Sequence, residues 1–394
     1  MNALLSFLEK LLIGIFALGL GALLVVGLLS YNGGRFEESD PWRQVVKQNT
    51  IEAYLSYLRA CQACAHEEEA ERTLDELQRS RGLLARLARA HLPERASIAH
   101  PAFSPDGRTV LASSGTELGF WDAETGQHLA RGKDAFVVPD GTYIEALAYS
   151  PDSRWVAAGL SAAEHGGLRV WDERSGEPVA DYLVDDYDVK FVEFAPQGSR
   201  LGWLAQGPLG LFEPATGKIL RAAHEGARAM AFGSDETGRI WLMTAADREL
   251  WFWDPVILEL RQQMRFDSDR PLLGLSRGGQ LIAFSDGTVV ELWNTRTRVL
   301  IATLRDMEGE VVSYCREAKR GWVVVGTRAG LLYVWDPAGP PLPLGQVSAH
   351  KGPVEQLACA DGRVVSVGWD SAKVWNLDRL GQRPSRREPH GFGP

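Results

Sequence analysis

The residues best spaced for chemistry are Cys61 and Cys64, with His66 two positions after the second cysteine. A Cys-x-x-Cys pair can hold half of a zinc site, act as a redox dithiol or attach a haem. Haem attachment needs a histidine directly after the second cysteine, where this chain has Ala65. Zinc needs two further ligands, and a redox dithiol needs a βαβ context that the flanking sequence lacks. We therefore expect a local disulfide if this segment is exported, and two ordinary thiols if it is not.

Two catalytic motifs occur in partial form. Residues 274–278, GLSRG, match the G-x-S-x-G elbow of hydrolases and put Ser276 in the nucleophile position. That elbow requires a strand-to-helix turn in an α/β fold, whereas these residues fall at a predicted strand-to-strand turn. Residues 216–218, TGK, lack the upstream glycine of a phosphate-binding loop. The sequence therefore predicts no catalytic residue, no cofactor and no metal ion, and thus a protein that is not an enzyme.

Composition restricts the class of partner. The chain has 394 residues, of which 45% are hydrophobic and 24% charged, as in ordinary folded proteins. Its net charge of -9 opposes nucleic-acid binding, because phosphate contacts need a concentrated field of lysine and arginine. We expect no nucleic-acid partner.

An apolar stretch near the N terminus predicts a transmembrane helix within residues 1–32. Residues 11–30, LLIGIFALGLGALLVVGLLS, contain no charged side chain. About twenty residues, at about 1.5 Å each, cross a hydrocarbon core of about 30 Å. A buried helix would carry a polar stripe, and a cleavable signal peptide would have a shorter apolar region. Ala17 and Gly21 form a small-xxx-small pair through which two such helices could self-associate.

The orientation of this anchor is ambiguous in the sequence. More lysine and arginine follows the stretch than precedes it, which favours a cytoplasmic domain. The following flank also carries acidic residues, and a short tail before a large domain is typical of an exported domain. We expect a single-pass protein of a bacterial inner membrane with its large domain in the periplasm; the alternative places that domain in the cytoplasm.

Residues 33–92 predict a helical hairpin. Apolar residues recur at helical spacing over 51–58 and again over 70–77. Three glutamates, Glu67, Glu68 and Glu69, would open the second helix, where carboxylates suit the positive end of the helix dipole. This hairpin would act as a spacer between the anchor and the rest of the chain.

From residue 93 to residue 378 a unit of about forty residues recurs seven times. The third predicted strand of each unit ends in an aromatic residue followed by an acid or amide, at intervals of 50, 41, 41, 40, 42 and 40 residues. These pairs are Trp121-Asp122, Trp171-Asp172, Phe212-Glu213, Trp253-Asp254, Trp293-Asn294, Trp335-Asp336 and Trp375-Asn376. The first strands end in related turns, FSPDG at 103–107, YSPDS at 149–153 and FAPQG at 194–198. Short strands at this period predict the blades of a β-propeller.

These pairs and turns resemble the WD-repeat (WD40) family over roughly residues 96–378. The resemblance implies an all-β, seven-bladed propeller that is not an enzyme and whose faces bind protein partners. It also implies a blade-stabilising tetrad, which is mostly missing here. In the fourth unit, Asp247 before Trp253 is a remnant of this tetrad. The seventh unit has all four residue types, but its aspartate and tryptophan are five positions apart, one fewer than in the family pattern. These four residues are His350, Ser366, Asp370 and Trp375.

The last blade lacks a fourth strand of its own. After residue 376 the chain is rich in proline, glycine and arginine, and residues 379–394 are expected to form a flexible tail. In WD-repeat proteins the missing strand comes from before the first repeat, which implies residues 83–91, LLARLARAH. The composition of this segment equally suits a helix.

Trp369, next to Asp370 at a predicted strand end, is a candidate surface contact for a partner protein. The sequence thus predicts a membrane-anchored, non-catalytic scaffold. The alternative is a ligand- or substrate-binding propeller that uses its central channel. That function would need convergent polar side chains at the strand starts, and the sequence reveals none.

Overall fold

A computed structural model describes most of the chain, in two compact units, Met1–Leu74 and Asp75–Pro394. The described residues are 41–61, 64–88, 98–114, 116–131, 136–162, 165–185, 188–235 and 237–382. The predicted anchor at 11–30, with Ala17 and Gly21, and the C-terminal residues 383–394 lie outside them. No helix within the described part of the chain is long and apolar enough to cross a membrane.

Within the described residues, three helices precede the strands: α1 (Pro41–Gln48), α2 (Ile51–Ala60) and α3 (Glu67–Ser80). Thr50 caps α2, because its side-chain oxygen accepts the Ala53 N–H at 3.1 Å. Helix α3 opens on the three glutamates, as their position relative to the helix dipole predicts. The two helices expected from the apolar spacing are therefore present, with α1 as an additional short one.

The second unit is built from antiparallel sheets, and seven of them are described. Blade one contains β2 (Ile98–Phe103), β3 (Thr109–Ser114) and β4 (Glu117–Asp122); blade two β5 (Thr142–Tyr149), β6 (Trp155–Ala162), β7 (His165–Asp172) and β8 (Pro178–Asp185); blade three β9 (Val189–Phe194), β10 (Leu201–Ala205), β11 (Pro208–Glu213) and β12 (Lys218–Ala223). Blade four contains β13 (Ala229–Ser234), β14 (Ile240–Ala246), β15 (Glu249–Trp253) and β16 (Leu260–Arg265); blade five β17 (Leu272–Leu275), β18 (Leu281–Ser285), β19 (Val290–Asn294) and β20 (Leu300–Leu304). Blade six contains β21 (Val311–Arg316), β22 (Val323–Thr327), β23 (Leu331–Trp335) and β24 (Gly345–Ser348); blade seven β25 (Val354–Ala360), β26 (Arg363–Gly368), β27 (Ala372–Asn376) and the early strand β1 (Leu83–Arg86), and helix α4 (Leu377–Leu380) follows.

The sheets close into a ring around their first strands. Each first strand contacts the first strand of the next blade, in the cyclic order β2, β5, β9, β13, β17, β21, β25 and back to β2. The tryptophans that end the third strands pack between blades, and Trp121, Trp171, Trp335 and Trp375 are essentially fully buried. The prediction of an all-β, seven-bladed propeller is confirmed.

Blade seven takes its fourth strand from before the first repeat. Strand β1 pairs antiparallel with β27, with Leu83 opposite Trp375 and Arg86 opposite Lys373. The strand prediction for residues 83–91 is thus confirmed over Leu83–Arg86, and the helical alternative is wrong there. The side chains of Leu83 and Ala85 are buried, while the backbone satisfies the open edge of β27.

The ring has two faces, which we name by the direction of the first strands. The start face carries the beginnings of the first strands and the turns between second and third strands. The end face carries the ends of the first strands and the turns between third and fourth strands. This division follows from the antiparallel order within each blade.

Candidate functional site

Four buried side chains of blade seven form one hydrogen-bonded chain. The Trp375 indole N–H donates to Ser366 Oγ at 2.9 Å, and Ser366 Oγ lies 2.8 Å from His350 Nε2. His350 Nδ1 lies 2.8 Å from Asp370 Oδ1. Burial lowers the pKa of His350, so the ring is neutral: Nδ1–H donates to the carboxylate and Nε2 accepts the Ser366 hydroxyl. The structure brings together all four residues that the sequence nominated.

The short spacing between Asp370 and Trp375 is absorbed by a tight turn. The Gly368 N–H donates to the Ser371 carbonyl at 3.0 Å, and the Ser371 N–H donates to the Gly368 carbonyl at 3.3 Å. Burial alone would raise the pKa of Asp370, but the hydrogen bond from His350 and the charge of Lys373 outweigh it and lower the pKa. The carboxylate is therefore ionised and holds the turn to the histidine.

This chain of contacts has the same order as a serine hydrolase triad, with Ser366 next to His350 and His350 next to Asp370. A nucleophile must reach a substrate, yet Ser366 and His350 are both fully buried. The Ser366 oxygen also accepts the Trp375 N–H. The geometry thus serves the packing of blade seven and leaves no route for acyl transfer.

Blade four contains a related triad that the sequence prediction missed. Thr244 Oγ1 lies 2.8 Å from His224 Nε2 and accepts the Trp253 indole N–H at 2.9 Å. Asp247, the predicted remnant, lies in the β14–β15 turn with φ 47°, and these hydrogen bonds do not include it. The hydroxyl residue precedes the tryptophan by nine positions in both blades, which is the signal that could have identified the triad.

The buried Lys373 connects α3 to blade seven, and no sequence pattern identified this residue. The Lys373 ammonium donates to Gln78 Oε1 at 2.9 Å and to the Ala349 carbonyl at 2.6 Å. The Gln78 amide donates in turn to the Ser348 carbonyl at 2.7 Å. Burial lowers the pKa of Lys373 to about 8. These contacts join the C-terminal end of α3 to blade seven.

The four cysteines form two pairs. Cys61 is bonded to Cys64, directly after α2. Cys315 of β21 is bonded to Cys359 of β25, so a disulfide links the first strands of blades six and seven. These last two cysteines are 44 positions apart, and no sequence pattern pairs them.

Ser276, at the centre of the nucleophile-like motif, is a turn residue. It lies between β17 and β18, and its Oγ accepts the Leu281 N–H at 3.0 Å. Ser104 Oγ accepts the Thr109 N–H at 2.9 Å in the corresponding turn of blade one. The serine therefore closes a strand-to-strand turn, in agreement with the expectation from the sequence.

Trp369 lies in the β26–β27 turn on the start face, and 58% of its surface is exposed. Tyr143, at the beginning of β5, is on the same face and 68% exposed. Large aromatic side chains at such positions are favoured anchors in protein interfaces.

The channel contains a polar belt near the start face that the sequence did not reveal. Lys190 of β9 lies 3.0 Å from the Glu145 carboxylate of β5, which also accepts the Ser161 hydroxyl at 2.7 Å. The backbone N–H of His100 in β2 donates to the Gln356 side chain of β25. These contacts join blade seven to blade one and blade two to blade three. No cluster of three metal-binding side chains occurs in the described parts of the chain.

Comparison with known families supports the repeat assignment. The profile of the family described as WD domain, G-beta repeat, matches residues 136–172, which contain β5, β6 and β7. Blade two therefore carries a WD repeat, and the resemblance drawn from the aromatic–acid pairs and turns is confirmed.

Curated relatives match over a limited length. The chain is 36% identical over 86 residues to the small ribosomal subunit protein RACK1 of Medicago sativa. It is 37% identical over 86 residues to the small ribosomal subunit protein RACK1z of Arabidopsis thaliana. Each match covers 21% of this chain and 23% of the relative, so the chain spans about a quarter of these proteins.

Among solved structures, the crystal structure of the computationally designed Ika8 protein is similar in fold. It aligns with a TM-score of 0.52 at 20% identity, over 75% of this chain and 99% of the designed protein. This likeness concerns the fold alone.

Proposed function

We propose that this seven-bladed propeller with its WD repeat is a membrane-anchored, non-catalytic scaffold that binds a protein partner through the start face. The exposed Trp369 carries the proposal. Protein interfaces are dominated by a few aromatic anchors, and a propeller face offers a rigid surface on which such an anchor can be held.

Trp369 is held on a fixed turn. Its neighbour Asp370 bonds to the buried His350, and Gly368 and Ser371 exchange backbone hydrogen bonds around it. A turn held in this way loses little backbone freedom on binding, and this raises affinity. Together these contacts make Trp369 a preorganised anchor for a partner.

Site-specific photocrosslinking tests the proposed face. The photoreactive residue benzoylphenylalanine replaces Trp369 in one variant and Leu342 in a matched control, since Leu342 is 50% exposed on the end face. We expect one discrete protein adduct from position 369 and none from position 342. Excess unlabelled wild-type protein should suppress the adduct, and excess W369A protein should not. Equal adducts from both positions would contradict the proposal.

The anchor and the exported location are part of the same proposal. The uncharged stretch at 11–30 supports membrane insertion. Two disulfides, Cys61–Cys64 and Cys315–Cys359, support an oxidising compartment such as the periplasm, because cytosolic thiols are kept reduced.

Protease accessibility tests this location. Protease added to intact bacterial spheroplasts should degrade the propeller while cytoplasmic marker proteins survive. Protection of the propeller until the membrane is permeabilised would place it in the cytoplasm. Release of the chain from membranes by alkaline carbonate would contradict the anchor.

A further inference from the structure

The channel has a second polar region, a cavity of about 320 Å³ on the end face. Residues from the first strands of all seven blades, or from the turns directly after them, line it. A volume of this order matches small-molecule sites, which range from roughly 300 to 1,000 Å³. We name this region the end cavity.

Charge in the end cavity is predominantly positive, in a chain whose net charge is -9. Arg277 and Arg316 line it together with one carboxyl group, Glu193. The Glu193 carboxylate accepts the Phe232 N–H at 3.0 Å. Within the described residues, neither arginine lies within salt-bridge distance of a carboxylate. Two guanidinium groups are thus available to an anionic ligand.

The remaining walls of the end cavity are largely apolar. Leu147, Met230 and Leu357 contribute side chains from three different blades. A ligand that fills this space therefore combines a nonpolar body with a charged group that the arginines can bind.

We propose that the end cavity binds a small organic anion, with Arg277 and Arg316 contacting its charged group and the apolar walls enclosing its body. Guanidinium groups form strong, directional hydrogen bonds with carboxylate, phosphate and sulfonate oxygens. This site is separate from Trp369, which lies on the start face.

Glu193 makes the site sensitive to pH. Burial raises the pKa of Glu193 to about 7, although the charge of Arg277 opposes the shift. The groups that face this carboxyl are Arg277, in the turn after β17, and the backbone N–H of Phe232 in β13. The carboxylate repels an anion above that pH, and protonation below it removes the repulsion. Anion affinity should therefore rise as the pH falls from 8 to 6.

Calorimetric titration of the full chain with benzenesulfonate tests the site, because this probe keeps the same charge at pH 6 and pH 8. Benzenesulfonamide serves as the neutral counterpart. We expect saturable binding of the sulfonate and at least about tenfold weaker binding of the sulfonamide. R277Q and R316Q should each weaken sulfonate binding by about tenfold. R265Q, which changes an exposed arginine on the outer strand β16, should leave it unchanged.

Two conservative variants separate the site from a general loss of structure. R277K keeps the positive charge and should retain part of the sulfonate binding that R277Q loses, while near-ultraviolet circular dichroism stays unchanged. E193Q should abolish the difference in affinity between pH 6 and pH 8. The proposal is overturned by the absence of saturable binding, by equal affinity for the sulfonamide, or by an equal loss in R265Q. Photocrosslinking at position 369 is independent of all these outcomes.

Discussion

The Nζ atom of Lys373 lies 2.9 Å from Oε1 of Gln78, in a region where both side chains are fully buried. Lys373 belongs to the last strand of the ring, and Gln78 precedes its first repeat by about twenty residues. A buried ammonium group is costly unless its donors are satisfied. This contact therefore makes the C-terminal end of α3, from Asp75 on, part of the propeller unit.

Removing the glutamine should destabilise the closed ring. Q78A takes away one acceptor from Lys373 and the donors to the Ser348 and Ala349 carbonyls. We expect a loss of about 2–4 kcal/mol in the free energy of unfolding, measured by urea denaturation. Q280A changes an exposed glutamine and should cost less than about 0.5 kcal/mol. A Q78A protein as stable as Q280A would refute this role.

Ser366 should be as important to blade seven. S366A removes the oxygen shared by His350 and Trp375, and both ring nitrogens are buried. We expect about 2–3 kcal/mol of destabilisation in denaturant unfolding. S199A, at an exposed turn position, provides the matched control and should behave as wild type. Unchanged stability of S366A would show that the tetrad contributes little to the blade.

The disulfide between blades six and seven should stabilise the ring. Cys315 and Cys359 are 44 positions apart, and a closed loop of that length is worth about 2–4 kcal/mol. The double variant C315S/C359S should unfold at correspondingly lower guanidinium concentration. C61S/C64S, which opens a separation of three residues, should leave the propeller transition unchanged. If reductant shifts neither the wild type nor the control, the inter-blade bond is absent.

Stability should also depend on pH through Glu193. Its pKa of about 7 in the folded state exceeds the unfolded value of about 4.3, so the folded state binds the proton more tightly. This contribution is fully present below the unfolded pKa and is lost as the pH rises through about 7. The loss amounts to at most about 4 kcal/mol.

E193Q isolates this effect. The difference in unfolding free energy between wild type and E193Q should fall between pH 5 and pH 8, with the wild type losing stability relative to the variant. Histidines with lowered pKa, His224 and His350, contribute equally to both proteins and cancel. A constant difference across this range would contradict the raised pKa.

The aromatic–acid pairs and proline turns sufficed to predict seven blades, because each blade repeats the same local pattern. Contacts between the first strands of neighbouring blades were not predictable in this way. Cys315 meets Cys359, and Lys190 meets Glu145, only because ring closure places first strands side by side. Local composition also misleads at β1, where a helix-forming sequence is extended by pairing with the open edge of β27.

The tetrad of blade seven could be predicted from its residue types. The triad of blade four was not predicted, because Thr244 occupies the position that a serine has in the tetrad. Lys373 and Gln78 are separated by 295 positions, and no local pattern connects them. Burial is what makes this pair significant, and burial depends on the closed ring.

Hydrogen exchange tests the closed ring most directly, since both proposed binding sites depend on it. Mass spectrometry of the intact protein can follow the amides of Leu83–Arg86 and of Ala372–Asn376 separately. We predict that both peptides exchange slowly and with the same free energy of opening, as paired strands of one cooperative sheet do. Fast, loop-like exchange of Leu83–Arg86 beside a protected Ala372–Asn376 would show that the ring is not closed by this strand.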